Sequence, residues 1–183
     1  MPFDILAFAL AAMQQEPYRE PTDYAAFDRG VGGWTVVRRP DGCMMFHDRR
    51  PGLTSTSIFY RVDNGAPRVS VMLSNPTWRV PEGQVRGYNM RFNGAPSAWE
   101  DVTVFRFREP DANNRGFFTL AFPAEGIAPL LTDVSHSTGL VLSKAGEREV
   151  RVTFPRGSAG VQRLLDCVGT VAAGGRPTIP GLS

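Results

Sequence analysis

Few side chains in this sequence offer chemistry: two histidines, two cysteines, three tryptophans, and scattered serines and acids. His47 precedes Asp48, a pair of the kind used by metal-dependent phosphohydrolases, where further histidines and an acid complete the site. Only His136 remains to help, and nothing in the spacing brings it near. His47 therefore reads as a strand-end residue beside a turn, and no metal site is expected. Asp133, Ser135 and His136 bring the three residue types of a hydrolytic triad close together in sequence. Triads are assembled by the fold from separate segments, so this run reads as a polar turn after a helix. Ser158 stands in Arg156-Gly157-Ser158-Ala159-Gly160, where the first glycine is one residue out of place for a GxSxG nucleophile elbow. A helix N-cap is the better reading. No GxGxxG follows a strand, no GxxxxGK[ST] occurs, and Gly30-Val31-Gly32-Gly33 precedes a strand instead of opening a helix. No catalytic residue and no cofactor is assigned on these grounds.

Recognition is the remaining chemistry. Trp34 begins a strand and reads as core, whereas Trp78 and Trp99 lie in proline-bearing loops and are the binding candidates, since tryptophans there stack on sugars or anchor partners. Cys43 and Cys167 are too far apart for a CxxC redox or zinc motif. Two readings stay open: a disulfide, worth roughly 4 to 5 kcal/mol on the chain-entropy model, or two buried thiols.

The elements that must position these residues are mostly strands. Short β-rich runs at 34–38, 43–47, 57–62, 68–73, 85–92, 102–108 and 117–122 are separated by Gly, Pro, Asn and Asp. Ile58, Tyr60 and Val62 share one face, as do Val69, Val71 and Leu73; the residues between them face water or a second layer. Asn64-Gly65 and Asn93-Gly94 supply the positive φ that tight hairpins require, and Pro40-Asp41-Gly42 is a third turn signal. Two more alternating runs, Leu140 with Leu142 and Val150 with Val152 and Phe154, bring the expected count to about nine. Helical spacing appears twice: at Ile127, Leu130, Leu131 and Val134, with Pro129 tolerable only in the first turn, and at Val161, Leu164, Leu165 and Val168, stopped by Gly169. The fold class expected is mainly β, an antiparallel sandwich or open barrel with two short helices near the C-terminus.

The organisation along the chain follows. Residues 5–12, ILAFALAA, have the length of a signal-peptide core and are too short to span a bilayer. They read as part of a signal peptide over 1–12 with cleavage near Ala11 or Ala12, or alternatively as a short docked helix. Residues 13–32 read as a linker, 33–169 as the β domain and 170–183 as a flexible tail. A chain of 183 residues fits one domain, and the composition, 42% hydrophobic and 21% charged, excludes disorder over most of it. The net charge of +2 with arginines scattered from Arg19 to Arg176 argues against nucleic acid as a partner.

The stretches GCMMF, VSVMLSNPTW, GYNMRFNG and FPRGSAGVQRLLDC together resemble an uncharacterised group of small secreted alphaproteobacterial proteins, and more distantly the invasion-associated locus B family. The resemblance covers about residues 33–167. It implies export, a β-sandwich and a Cys43–Cys167 bridge, and it transfers no catalytic residue. The function expected is that of a non-enzymatic envelope or periplasmic protein binding a protein or glycan partner through loop aromatics and arginines, with a cytoplasmic placement as the alternative. The alternative function is a small hydrolase assembled around His47 or His136.

Overall fold

The computed structural model describes residues 25–39, 41–47, 54–63, 66–108 and 116–171. The expected signal peptide, most of the expected linker, the tail beyond residue 171, Asp48, Pro40 and the Asn64-Gly65 pair lie outside the described residues. The domain is mainly β: ten strands form one antiparallel sheet in the order β1-β2-β3-β4-β5-β8-β7-β6-β9-β10, which is open because β1 and β10 end it. In chain order the strands are β1 (Ala25–Val31), β2 (Trp34–Arg39), β3 (Gly42–His47), β4 (Ser55–Asp63), β5 (Ala66–Asn75), β6 (Gly83–Phe92), β7 (Ala98–Arg108), β8 (Gly116–Phe122), β9 (Gly139–Ser143) and β10 (Val150–Thr153). The helices are α1 (Ala124–His136) and α2 (Ser158–Val171).

Alternation decides which residues meet. One face of the sheet carries Val36, Met45, Ile58, Tyr60, Val71, Leu73, Leu120, Val104 and Met90, and these share a single buried core with Ile127, Leu130, Leu131 and Val134 of α1 and Leu164 and Val168 of α2. Both helices thus lie on the same side, as the i, i+3, i+4, i+7 stripes require. The ends of the sheet curl toward each other. Trp34 of β2 donates its indole N–H to the Pro155 carbonyl at 3.1 Å, and its ring meets Phe154 just beyond β10 at 5.4 Å. Gly33 leaves room for this approach, since a Cβ there would lie 2.6 Å from Pro155 Cγ.

The first five strands are a meander of hairpins, and β4 and β5 pair in unbroken register from Ser55↔Ser74 to Asp63↔Ala66. The chain then skips two positions: β5 pairs with β8, and β6 and β7 return through β8 to the same edge. Ten strands exceed the nine expected, because β1 occupies part of the stretch read as a linker. Its pairing with β2 breaks register twice, between Ala26 and Asp28 and between Asp28 and Val31, which erases the two-residue period that reveals a strand.

Three helix details depart from expectation. α1 starts at Ala124, so Pro129 falls inside the helix, beyond its first turn. The hydrogen bond it forgoes is to the carbonyl of Glu125, and both residues are exposed, so water meets that carbonyl while the buried stripe holds the helix. Ser158 is the first helical residue, not the cap: the Val161 N–H donates to the Gly157 carbonyl at 2.8 Å, which makes Gly157 the cap. A side chain at 157 would come within 2.9 Å of Val134 Cγ1, so glycine is what lets α2 start against α1. Gly169 does not stop the helix, which continues to Val171.

Cys43 of β3 and Cys167 of α2 form a disulfide with Cα atoms 6.1 Å apart, closing 124 residues of sequence. The bridge fixes α2 over β2 and β3, where Gly160 packs against Trp34 and Met45.

Candidate functional site

The sequence candidates are dispersed. His47 is half-buried at the end of β3; its Nδ1 donates to the Gly33 carbonyl at 2.9 Å and its ring leans on Trp34 at 5.9 Å. His136 is exposed at the end of α1, with Nδ1 donating to the Thr132 carbonyl at 2.9 Å. Ser135 Oγ donates to that same carbonyl at 2.7 Å. The nitrogen nearest Ser135 therefore carries a proton and does not act as its base. Asp133 is engaged elsewhere: Oδ1 accepts from Ser97 Oγ at 2.9 Å and Oδ2 from the Trp99 indole N–H at 2.8 Å. The Asp133, Ser135, His136 run is thus a helix end, and the described hydrogen bonds form no relay through it.

Trp99 is consequently held within the fold, its ring edge-on to Phe122 at 5.2 Å and its N–H spent on a buried carboxylate. Trp78 is half-buried like Trp99, its ring edge-on to Phe118 at 5.3 Å, but it lies in a loop with its own hydrogen bonds. Asn75 builds that loop: its Oδ1 accepts from the Thr77 N–H at 2.7 Å and from Thr77 Oγ1 at 2.6 Å, and its Nδ2 donates to Thr54 Oγ1. Arg79 NH1 closes back on the Pro76 carbonyl at 2.8 Å, and Arg108 Nε donates to the Val80 carbonyl at 3.2 Å. The result is a tryptophan in a loop braced by its own hydrogen bonds, with Arg108 bonded to that loop at Val80.

Beside it lies a polar cluster that pattern reading missed. Phe118 sits between Trp78 and Tyr88, and Tyr88 donates its hydroxyl to Glu147 Oε2 at 2.5 Å. Arg106 NH1 donates to the same oxygen at 2.9 Å and to the Tyr88 oxygen at 3.3 Å. Lys144 lies 5.7 Å above the Tyr88 ring and donates to the Arg86 carbonyl. Gly87, at φ +79°, lies at the register break between Val85 and Tyr88. Arg106 Nε is buried without a hydrogen-bond partner. The signal for this cluster was present but weak: Arg106 alternates in phase with Val104, whose face is core.

Burial, and then the hydrogen bond to Glu147, push the Tyr88 hydroxyl up to about 12, so at neutral pH it is a proton-bearing donor and not a base. A tyrosine raised above its unfolded value of about 10 stabilises the fold below pH 10, and that contribution is lost as pH rises toward 12. Wild type should therefore lose about 2 kcal/mol relative to Tyr88→Phe across that interval. Urea melts of both proteins at pH 9 and pH 11.5 measure it. Equal losses in the two proteins would contradict the assignment.

Among the described residues no cluster of three or more His, Cys, Asp or Glu side chains could hold a metal, and no helix is long and apolar enough to cross a membrane. Comparison with known protein families, with characterised proteins and with solved structures gave no significant match.

Proposed function

We propose that this chain is an exported envelope or periplasmic protein that binds a protein or glycan partner, with Trp78 at the centre of the contact. The observation that carries the reading is the half-buried Trp78, held by its backbone bond to Asn75 in a loop that also carries Arg79 and is bonded by Arg108 at Val80. Tryptophan and arginine dominate binding energy at recognition surfaces, and a loop already ordered by its own bonds loses little entropy on binding. Trp99 contributes to the fold, so the two-tryptophan expectation narrows to one. Export is supported by the disulfide, which persists in oxidising compartments and is rare in reducing ones, and by the resemblance to secreted proteins. Cleavage near Ala11 or Ala12 belongs to the same proposal.

Trp78→Ala should weaken binding to a glycan array or to envelope extract about thirtyfold, as removal of a hot-spot aromatic does, while Trp99→Phe leaves binding intact. Binding is read by surface interferometry with the melting temperature of each variant as a control. Unchanged binding by Trp78→Ala sinks the site, and a native protein found in the cytosolic fraction with free thiols sinks the localisation.

A further inference from the structure

The two helices pack mainly on β1, β2, β3, β5 and β8. At the end formed by β6, β7 and β9 the same face of the sheet is closed by polar side chains instead, and two rows run there side by side. The Trp78 carbonyl lies over Gly116, where a Cβ would come within 2.6 Å of it, and Gly116 pairs with Arg108. Phe118 pairs with Arg106. Tyr88 follows Phe118 at 6.3 Å, with Lys144 over its ring. Trp78, Phe118 and Tyr88 thus follow the same line as Arg108, Arg106 and Lys144. Among the described residues Glu147 is the only carboxylate that these three cations bond, since Arg108 and Lys144 donate to backbone carbonyls. The row keeps a surplus of positive charge.

Glu147 is an incomplete partner for that row. Tyr88 and Arg106 both donate to its Oε2, and Arg106 Nε is left buried with no acceptor, although a guanidinium can engage both oxygens of one carboxylate. The backbone of Glu147 lies in the exposed turn between β9 and β10, outside the ladder that begins where Leu142 meets Val150. Withdrawing its side chain breaks no strand bond. Tyr88 and Arg106 stand on β6 and β7, inside the sheet, so the donors stay in place when the acceptor leaves.

We propose that Tyr88, Arg106 and Lys144 form the seat of a ligand carboxylate, that Glu147 fills this seat in the free protein, and that the partner is an acidic glycan whose uronate group displaces it. The inference deepens the reading of Trp78 as the contact, on which the choice of a glycan rests. A uronate carries a ring face that stacks on tryptophan and a carboxylate on the same sugar, the two features that these parallel rows answer. A carboxylate is favoured over a sulfate because the group already seated is one.

The test titrates the full chain by surface interferometry in about 0.15 M salt. The probes are hexasaccharides of galacturonate, of mannuronate and of hyaluronan, their methyl esters, a chondroitin sulfate hexasaccharide with its uronates esterified, and hexaglutamate. At least one uronate should bind, and its ester, which keeps the rings and loses the charge, should bind about tenfold more weakly or worse. Glu147→Gln should tighten uronate binding about tenfold, because the ligand no longer competes with an internal anion. Lys144→Gln should weaken it about tenfold. Arg151→Gln, which removes an exposed charge from the adjoining strand, should leave it within about twofold. Lys144 is the only lysine of the chain, so its acetylation by an amine-directed ester, read by mass spectrometry, should slow when the uronate is bound. The proposal is overturned by absence of uronate binding, by equal binding of the ester, the esterified sulfate or hexaglutamate, by no gain from Glu147→Gln, or by an unprotected Lys144. Trp78→Ala reports on the underlying reading separately. Uronate binding that is lost with Trp78→Ala but ignores Lys144 and Glu147 overturns the seat and leaves the contact at Trp78 standing. Binding that depends on Lys144 and Glu147 but ignores Trp78 upholds the seat and overturns the Trp78 contact.

Discussion

Reduction of the Cys43–Cys167 bridge, or Cys167→Ser, should lower the melting temperature by roughly 8 to 20 °C. The bridge closes 124 residues, and constraining an unfolded loop of that length is worth about 4 to 5 kcal/mol on the chain-entropy model. For a chain of this size each kcal/mol moves the midpoint by about 2 to 4 °C. The folded state adds a second reason. α2 has fourteen residues, too few to be stable alone in water, so it depends on its stripe of Val161, Leu164 and Val168 being held over β2 and β3. Both sulfurs are fully buried, so the serine variant also places a hydroxyl in an apolar site. Chemical reduction of the wild type separates the two effects because it leaves buried thiols behind. A midpoint unchanged by reductant, with thiol release confirmed by mass spectrometry, would remove the bridge from the stability of the domain.

Much of this fold could be read locally. Ile58 and Tyr60, or Val69, Val71 and Leu73, announce a face by period two, and the helical stripes announce two helices. What could not be read is non-local or irregular. Nothing in the residues of β5 says that its neighbour is β8 and not β6, since either pairing satisfies the same alternation. β1 is hidden by its two register breaks. The capping glycine at 157 was passed over for Ser158, because sequence shows a good capping side chain but not the crowding by Val134 that forbids any side chain one residue earlier. The site followed the same rule. Trp78 and Trp99 look equivalent in sequence, and only tertiary contact reveals that one indole N–H is used by a carboxylate on α1 while the other ring sits in a loop that Arg108 bonds at Val80. Arg106 was legible as in phase with a core face, but a lone arginine at such a position gives no hint that Tyr88 and Glu147 will meet it.

Asp133→Ala should destabilise the domain by about 3 to 4 kcal/mol, because it removes the acceptor of two buried donors at once. The carboxylate is 2% exposed and lies in the last turn of α1, where the helix dipole disfavours a negative charge. Neither position nor solvation stabilises it there; the bonds from Ser97 and Trp99 do, at 2.9 and 2.8 Å. These bonds tie α1 to the start of β7, and Trp99 in turn packs on Phe122 at the end of β8. Truncation at 133 leaves an indole N–H and a hydroxyl facing a cavity, and the Trp99 emission should shift to longer wavelength as water enters. Asp133→Asn keeps one acceptor and opposes the other donor with an amide, so it should fall between alanine and wild type. Trp99→Phe removes one donor without adding another, and its combination with Asp133→Ala should cost less than the two single losses together by at least about 1 kcal/mol. Urea unfolding followed by far-ultraviolet circular dichroism measures all four proteins. Strict additivity, or an alanine variant within about 1 kcal/mol of wild type, would mean that the carboxylate does not hold the tryptophan.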